Sequence, residues 1–217
     1  MTAINTTHVC LVLDRSGSMQ AVREDALGGV NSYIQTAKET RDLYEARFSM
    51  ITFSSESVDI IRKNEIMETV KPVSVDEYRC AGWTPLFDAV GRGIGILDEA
   101  LENKPGKAIL VVMTDGMENA SREFSHEKIT ELIKTRQERG WLVTFLGEGL
   151  DVAKQGVAMG AMAANVAAYA GGQGLRSAGQ VMVAQSARYV AARGDIRQAQ
   201  ASAALSAEER DALAGKK

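Results

Sequence analysis

Five residues with oxygen-bearing side chains stand out because they occur in three short segments, DRSGSM, GWTPLF and VMTDG, that are far apart in the chain. They are Asp14, Ser16, Ser18, Thr84 and Asp115. Carboxylate and hydroxyl oxygens are hard ligands, and Mg²⁺ and Mn²⁺ prefer such ligands with several waters kept in the coordination shell. If the fold brings the three segments together, they form a site for a divalent cation.

The charges of these five residues suit a cation that binds one more ligand from outside the protein. The carboxylates of Asp14 and Asp115 balance a divalent charge, and the hydroxyl groups add none. Gly17 lets the backbone turn sharply enough for Ser16 and Ser18 to face one point. Such a cation stays electrophilic and keeps an open coordination position, which a carboxylate from a partner protein would fill.

Apolar patterns along the chain predict the elements that must position these residues. Continuous or alternating apolar runs predict strands, and helical apolar stripes separate most of them. The predicted strands are 7–13, 45–54, 58–67, 107–114, 141–147 and 164–170, and the predicted helices are 20–40, 84–102, 125–139, 151–159 and 175–193.

This order predicts an α/β fold: a doubly wound, Rossmann-like, mostly parallel sheet with one antiparallel edge strand and helices on both faces. The short link between 45–54 and 58–67 indicates the antiparallel pair. Ligand sites in doubly wound sheets form at the carboxyl ends of the strands. Asp14 and Asp115 directly follow predicted strands, so we expect both at that edge of the sheet.

The chain divides into a domain, residues 1–193, and a C-terminal tail, residues 194–217. The glycine-rich segment 169–174 predicts a flexible hinge before the last long helix. The tail is rich in alanine and charge and carries a capping-box pattern from Ser206 to Glu209. We expect it to be helical or flexible, either loosely attached or used for docking.

Bulk composition excludes several function classes. The chain has 217 residues and a formal net charge of −3, and no basic patch points to nucleic acid. Two cysteines make no disulfide framework, and two histidines without Cys or His at suitable spacing make no zinc site. No secretory leader pattern and no apolar stretch long enough for a membrane span is present. We therefore expect a cytoplasmic protein that does not act at a membrane.

Together, DRSGSM, GWTPLFDAV and VMTDGMEN resemble the metal-ion-dependent adhesion site of von Willebrand factor type A domains. The resemblance covers the five oxygen residues and the order of elements as far as residue 193, and it looks most like intracellular prokaryotic members. It implies Mg²⁺, with Mn²⁺ or Ca²⁺ as alternatives, and recognition of an Asp or Glu on a partner protein. It suggests partners such as an AAA+ ATPase or a stress-resistance complex.

The resemblance also implies a role for each ligand. Ser16 and Ser18 would bind the metal directly, and Asp14 and Asp115 directly or through water. Thr84 would bind directly only when the partner is present.

Catalysis is the weaker reading of the same residues. The sequence has no GxxxxGK[ST] loop for nucleotide phosphates and no GxSxG nucleophile elbow, and no histidine is placed as a general base. We therefore expect no enzyme activity. Two alternatives stay open: a Mg²⁺-dependent phosphoester hydrolase acting through Asp14, and a structural or assembly component of a phage or secretion apparatus that self-associates through its tail.

Several neighbouring residues carry smaller expectations. Asp88 is expected to support the loop or helix near Thr84 rather than bind metal. A solvated loop is the favoured interpretation for Glu118 and Asn119. Trp83 is either an exposed anchor or buried against the sheet end, and Met19, unlike the other methionines, is a candidate for a position outside the core.

Overall fold

The computed structural model describes residues 6–102, 106–192 and 195–216. These residues form one six-stranded sheet with the order β3-β2-β1-β4-β5-β6, in which only the β2–β3 pair is antiparallel. The strands are β1 (Thr6–Asp14), β2 (Arg47–Phe53), β3 (Val58–Ile66), β4 (Gly106–Thr114), β5 (Leu142–Glu148) and β6 (Val166–Tyr169). The predicted fold class is confirmed.

Helices cover both faces of this sheet. The α-helices are α1 (Arg23–Glu39), α2 (Leu86–Leu101), α3 (His126–Glu138), α4 (Gly149–Ala158), α5 (Gly171–Ala191), α6 (Ile196–Ser202) and α7 (Ala207–Leu213). Short 3₁₀ helices occur at Gly17–Val22, Met67–Thr69 and Ala163–Asn165. None of the helices in the described ranges is both long and apolar enough to cross a lipid bilayer.

The central strands are apolar throughout because they are buried on both sides. Side chains of β1 alternate between two cores. Val9 and Leu11 pack with α1 and α5, whereas Cys10 and Val12 pack with α2, α3 and α4. The strong apolar pattern of β1 and β4 follows from this double coverage.

Helices α1 and α5 approach each other backbone to backbone. A side chain at Gly179 would overlap the carbonyl oxygen of Gly29, and one at Gly29 would overlap the carbonyl oxygen of Leu175. Such close packing is open only to glycine. It fixes the position of α5 against the helix that follows the first site segment.

The glycine-rich segment predicted as a hinge is ordered secondary structure, so that prediction is wrong. Tyr169 ends β6, and α5 begins at Gly171, four residues before its predicted start at Leu175. The glycines serve packing instead of flexibility. A side chain at Gly172 would overlap the carboxylate of Asp25, and one at Gly174 would overlap the carbonyl oxygen of Leu213.

The C-terminal tail is helical and lies against the domain rather than being loosely attached. Leu213 and Ala203 are fully buried. The Arg210 guanidinium donates hydrogen bonds to the carbonyl oxygens of Val166, at 2.6 Å, and Ala164, at 2.8 Å, beside the open edge of β6. The predicted boundary between domain and tail, at residues 193 and 194, lies outside the described residues, and the division stays a prediction.

The first site segment departs from the predicted helix at 20–40. A 3₁₀ helix, Gly17–Val22, precedes α1, and Met19 within it is fully buried in the α1–α5 core. The expectation that Met19 lies outside the core is therefore wrong. Its burial anchors the segment that carries Ser16 and Ser18.

Candidate metal centre

Strand register brings the two carboxylates together. β1 and β4 are adjacent and parallel, with Leu13 opposite Met113. Asp14 therefore ends β1 beside Thr114, and Asp115 follows one residue later. Both lie at the carboxyl edge of the sheet, as expected for a doubly wound fold.

Hydrogen bonds join four of the five predicted residues into one network. The Ser18 hydroxyl donates to Asp115 Oδ1 at 2.8 Å, and the Ser16 and Ser18 hydroxyl oxygens lie 3.2 Å apart. Asp14 Oδ1 accepts from the Ser16 backbone N–H at 2.7 Å. The Thr114 hydroxyl donates to Asp14 Oδ2.

Thr84, the fifth residue, is buried beside the network. Asn119 binds both backbone polar groups of Thr84. Its Oδ1 accepts a hydrogen bond from the Thr84 N–H at 2.8 Å, and its own N–H donates to the Thr84 carbonyl at 3.1 Å. Thr84 Oγ1 lies 3.1 Å from where a Cβ of Gly116 would be. A glycine directly after Asp115 therefore lets Thr84 approach the carboxylate segment.

The segment carrying Ser16 and the segment carrying Thr84 are also joined through their backbones. The Gly17 N–H donates to the Gly82 carbonyl at 3.0 Å, and the Ala81 N–H donates to the Arg15 carbonyl at 2.9 Å. Gly82 has a φ of +76°, a conformation that glycine adopts without strain. The two segments therefore form one unit.

Asp88 and Glu118 organise the loop after Asp115. The Asp88 carboxylate accepts three backbone N–H groups, which confirms its expected supporting role; the donors are Arg122, Glu123 and Phe124. The Glu118 carboxylate also accepts three; the donors are Phe87, Ala120 and Ser121. Glu118 and Asn119 lie in a loop, as expected, and Asn119 is exposed, but both side chains bind backbone and so do more than face solvent.

Three further residues support the site, and no signal in the sequence indicates their roles. The Tyr78 hydroxyl donates to the Asp14 carbonyl, and Gln155 of α4 accepts from the Glu118 N–H at 2.7 Å through its side-chain oxygen. Arg15 is buried and donates to the Arg79 carbonyl at 3.0 Å and the Asp59 carboxylate at 3.0 Å. Each acts on residues distant in the chain, so no local pattern announces it.

The negative charges of Asp14 and Asp115 are destabilised by burial, and hydrogen bonds from the protein only partly stabilise them. Burial raises the pKa of Asp14 to about 6, against hydrogen bonds from Thr114 and Ser16 that lower it, and the charge of Asp115 raises it further. Burial also raises the pKa of Asp115, although the Ser18 hydrogen bond opposes the shift. In the described part of the chain, neither carboxylate forms a salt bridge with a basic side chain. A bound cation would offset this load.

The donor chemistry fits a hard divalent ion. Two carboxylates and hydroxyl groups converge, and no group of three or more His, Cys, Asp or Glu within residues 6–102, 106–192 and 195–216 forms a competing metal cluster. Nitrogen and sulfur donors, which zinc prefers, are absent from the five-residue set.

Comparison with solved structures identifies the fold. The vWF domain of the type V pili tip protein Mfa5 from Porphyromonas gingivalis superposes with a TM-score of 0.63 at 10% identity, covering 88% of this chain and 98% of that domain. The chain folds as a von Willebrand factor A domain. No protein-family model and no curated protein matches its sequence.

Other solved structures with this fold are longer proteins, of which this chain matches a part. The pilus adhesin SpaC from Lactobacillus rhamnosus GG matches with a TM-score of 0.67 at 13% identity, covering 85% of this chain and 31% of the adhesin. The manganese-loaded TRAP protein of Plasmodium vivax matches with a TM-score of 0.50 at 15% identity, covering 71% of this chain and 62% of TRAP. The domain thus spans about a third of SpaC. Of these neighbours, SpaC is a pilus adhesin, Mfa5 is a pili tip protein and TRAP is loaded with manganese.

Proposed function

We propose that this domain binds Mg²⁺ or Mn²⁺ and uses the ion to bind an acidic residue of a partner protein. One observation carries the proposal: the buried carboxylate of Asp14 and the half-buried carboxylate of Asp115 lie in one hydrogen-bonded network with Ser16 and Ser18, and no basic side chain in the described structure pairs with them. Thr84 lies beside Gly116 at the same edge.

Each residue has a distinct task in this proposal. Asp14 and Asp115 supply the negative charge that holds the ion. Ser16, Ser18 and Thr84 supply neutral oxygens, so the ion keeps positive charge for the partner. When bound, the ion acts as the electrophile that attracts the partner's carboxylate.

The hydrolase alternative gains no support from the position of the histidines. His8 lies in the first half of β1, far along the strand from Asp14. His126 begins α3 and packs its ring against Phe87 at a centroid distance of 5.7 Å. Neither is placed near the carboxylates as a general base.

The complex in which this domain acts, and its location, are also proposals. We propose a multiprotein complex of the AAA+ ATPase or stress-resistance type, an intracellular prokaryotic protein and a cytoplasmic location. The assembly alternative needs a tail that is free to self-associate. The buried Leu213 and the contacts of Arg210 place the tail on its own domain instead.

Calorimetric titration with Mg²⁺ and Mn²⁺ tests the ion site. We expect Asp14→Ala and Asp115→Ala to lose at least about tenfold in affinity, because each removes a charge that balances the ion. Asp151→Ala is the matched control, since Asp151 is an exposed carboxylate in the first turn of α4 and lies outside the proposed ligand set. Equal affinities for wild type, Asp14→Ala and Asp115→Ala would overturn the proposal.

Affinity capture tests the partner. Wild-type protein should retain a protein partner in Mg²⁺ and release it when a chelator is added. Thr84→Ala should retain less of it in Mg²⁺, because Thr84 is the ligand expected to engage when the partner binds. Retention that is unaffected by the chelator would separate partner binding from the ion.

A further inference from the structure

Three of the four most exposed large apolar side chains in the described chain belong to segments next to the proposed ion site. The most exposed ones in the described chain are Leu150 at 72%, Trp83 at 68%, Val75 at 53% and Met117 at 51%. Trp83 directly precedes Thr84, Met117 lies two residues after Asp115, and Leu150 follows β5 in the first turn of α4. We name Trp83, Met117 and Leu150 the apolar rim. Its exposure settles the open question about Trp83, which is an exposed side chain.

The backbone that carries Trp83 is fixed. Its N–H donates to the Ser55 hydroxyl at 2.8 Å, and its carbonyl accepts from the Ser55 N–H at 2.9 Å. Gly82 before it and the buried Thr84 after it are tied to the site as well. The indole is therefore held in water by a rigid support rather than by a loose loop.

The other two rim residues are supported in a similar way. Gln155 bonds to backbone on both sides of Met117, accepting from the Glu118 N–H at 2.7 Å and donating to the Gly116 carbonyl at 3.4 Å. Leu150 is part of helix α4. Because the backbone of the rim is already ordered, a partner that covers these side chains does not have to order the backbone first, which favours binding.

We infer that the partner presents its acidic residue between large apolar side chains, and that these side chains pack on the apolar rim. The inference rests on the proposed function. Residues that border Thr84 and Asp115 are covered by any protein segment that reaches the ion. A carboxylate with polar neighbours would leave the rim facing polar groups, whereas apolar neighbours bury it.

The occupant is a separate protein rather than this chain's own tail. The described tail helices are already packed, with Leu213 buried and Arg210 bonded to the start of β6. The ion supplies the charge that is complementary to a carboxylate, and the rim supplies the apolar complement. A segment with Asp or Glu flanked by aromatic or large aliphatic residues matches both parts.

Selection from a display library of random peptides, each with one fixed central Asp, tests this inference. The baits are wild type, a Trp83→Ser/Leu150→Ser double variant, and Ile60→Ser, which removes an exposed apolar side chain from β3, away from the site. We expect wild type and Ile60→Ser to enrich peptides with apolar residues beside the Asp, in Mg²⁺ only. The double variant should bind those peptides at least about tenfold more weakly, while calorimetry shows its Mg²⁺ affinity unchanged.

The outcomes separate the two proposals. Enrichment that requires Mg²⁺ but selects polar neighbours overturns the inference about the rim and leaves the proposed function standing. Enrichment that is independent of Mg²⁺, or no enrichment at all, counts against both. Sedimentation that shows a wild-type dimer in Mg²⁺ and a monomeric double variant would assign the rim to a second copy of this chain and overturn the inference.

Discussion

Asp14→Asn is expected to stabilise the metal-free protein at neutral pH. Asp14 is fully buried, and burial raises its pKa from 3.8 to about 6, so at pH 7 the folded protein holds a buried negative charge. Asparagine has nearly the same shape. Its oxygen can accept from the Ser16 N–H, and its amide can donate to the Thr114 hydroxyl, which now donates to Asp14.

The magnitude follows from the pKa difference. A rise from 3.8 to about 6 corresponds to about 3 kcal/mol, because each pKa unit is worth about 1.4 kcal/mol. The folded protein binds this proton more tightly than the unfolded chain. The stabilising contribution is therefore complete below pH 3.8 and is lost as the pH rises through about 6. Above that pH, the free energy of unfolding of the wild type is lower by about 3 kcal/mol, whereas that of Asp14→Asn does not change, because the asparagine amide does not ionise.

Urea unfolding in the presence of a chelator, at about pH 4 and about pH 8, measures the effect. The free energy of unfolding of Asp14→Asn minus that of wild type should increase by about 2.5 kcal/mol between the two pH values, because the proton on Asp14 is already partly released at about pH 4 in the unfolded chain. Asp76→Asn is the control, since Asp76 is an exposed carboxylate outside the Asp14 network. The same pH dependence in wild type and Asp14→Asn would refute the reasoning.

Added Mg²⁺ should reverse the order of stability. At about 1,000 times its dissociation constant, a ligand stabilises the folded state by about 4.1 kcal/mol, which exceeds the difference of about 3 kcal/mol, and Asp14→Asn should gain much less than wild type. The ion also competes with the proton on Asp14, so its apparent affinity for wild type should fall about tenfold per pH unit below about pH 6. Equal stabilisation of both proteins by Mg²⁺ would show that Asp14 does not hold the ion.

Three further substitutions test the packing around the site by urea unfolding. Asp88→Ala should cost about 2–3 kcal/mol because three backbone N–H groups lose a charged acceptor, and a loss below about 1 kcal/mol would contradict this role. Tyr78→Phe should cost about 1 kcal/mol, because it removes the hydrogen bond from the Tyr78 hydroxyl to the Asp14 carbonyl. Tyr169→Phe should cost nothing, because the buried Tyr169 hydroxyl has no partner in the described chain. Equal losses of stability in the two variants would contradict this reasoning. Gly179→Ala should cost about 1–3 kcal/mol, because the added methyl group forces α1 and α5 apart. Gly28→Ala should stabilise the protein by about 1 kcal/mol, because its methyl group meets open space and alanine favours the helix. If Gly179→Ala caused no loss of stability, the two helices would be free to separate.

The strands, their succession along the chain and the antiparallel edge pair could be predicted because their signals are local. β1 and β4 are buried on both faces, so their apolar runs are continuous and end abruptly at Asp14 and Thr114. That Asp14 and Asp115 lie at one edge of the sheet could be predicted for the same reason, since Asp14 ends β1 and Asp115 follows β4. Parallel neighbours must bring their carboxyl ends together, so adjacency in space follows from position in the chain.

The features that the sequence did not reveal depend on distant partners. Gly172 and Gly174 look like a hinge because a glycine run allows flexibility, yet their neighbours are Asp25 of α1 and Leu213 of α7. Glu118 looks like a solvated loop residue because its three backbone donors carry no side-chain signature. Packing between distant segments overrides local appearance in each case.

The hydrogen bonds between Arg210 and the start of β6 have a consequence for how each new chain matures. Arg210 is made 44 residues after Val166, the strand residue whose carbonyl it covers. At about 5–20 residues per second, that interval lasts roughly 2–9 s during synthesis. Until it ends, the outer edge of β6 lies open to another nascent strand, because unpaired strand edges are templates for pairing between chains. Slower translation of the segment that encodes α6 and α7 should therefore increase aggregation of newly made protein while leaving the finished domain unchanged.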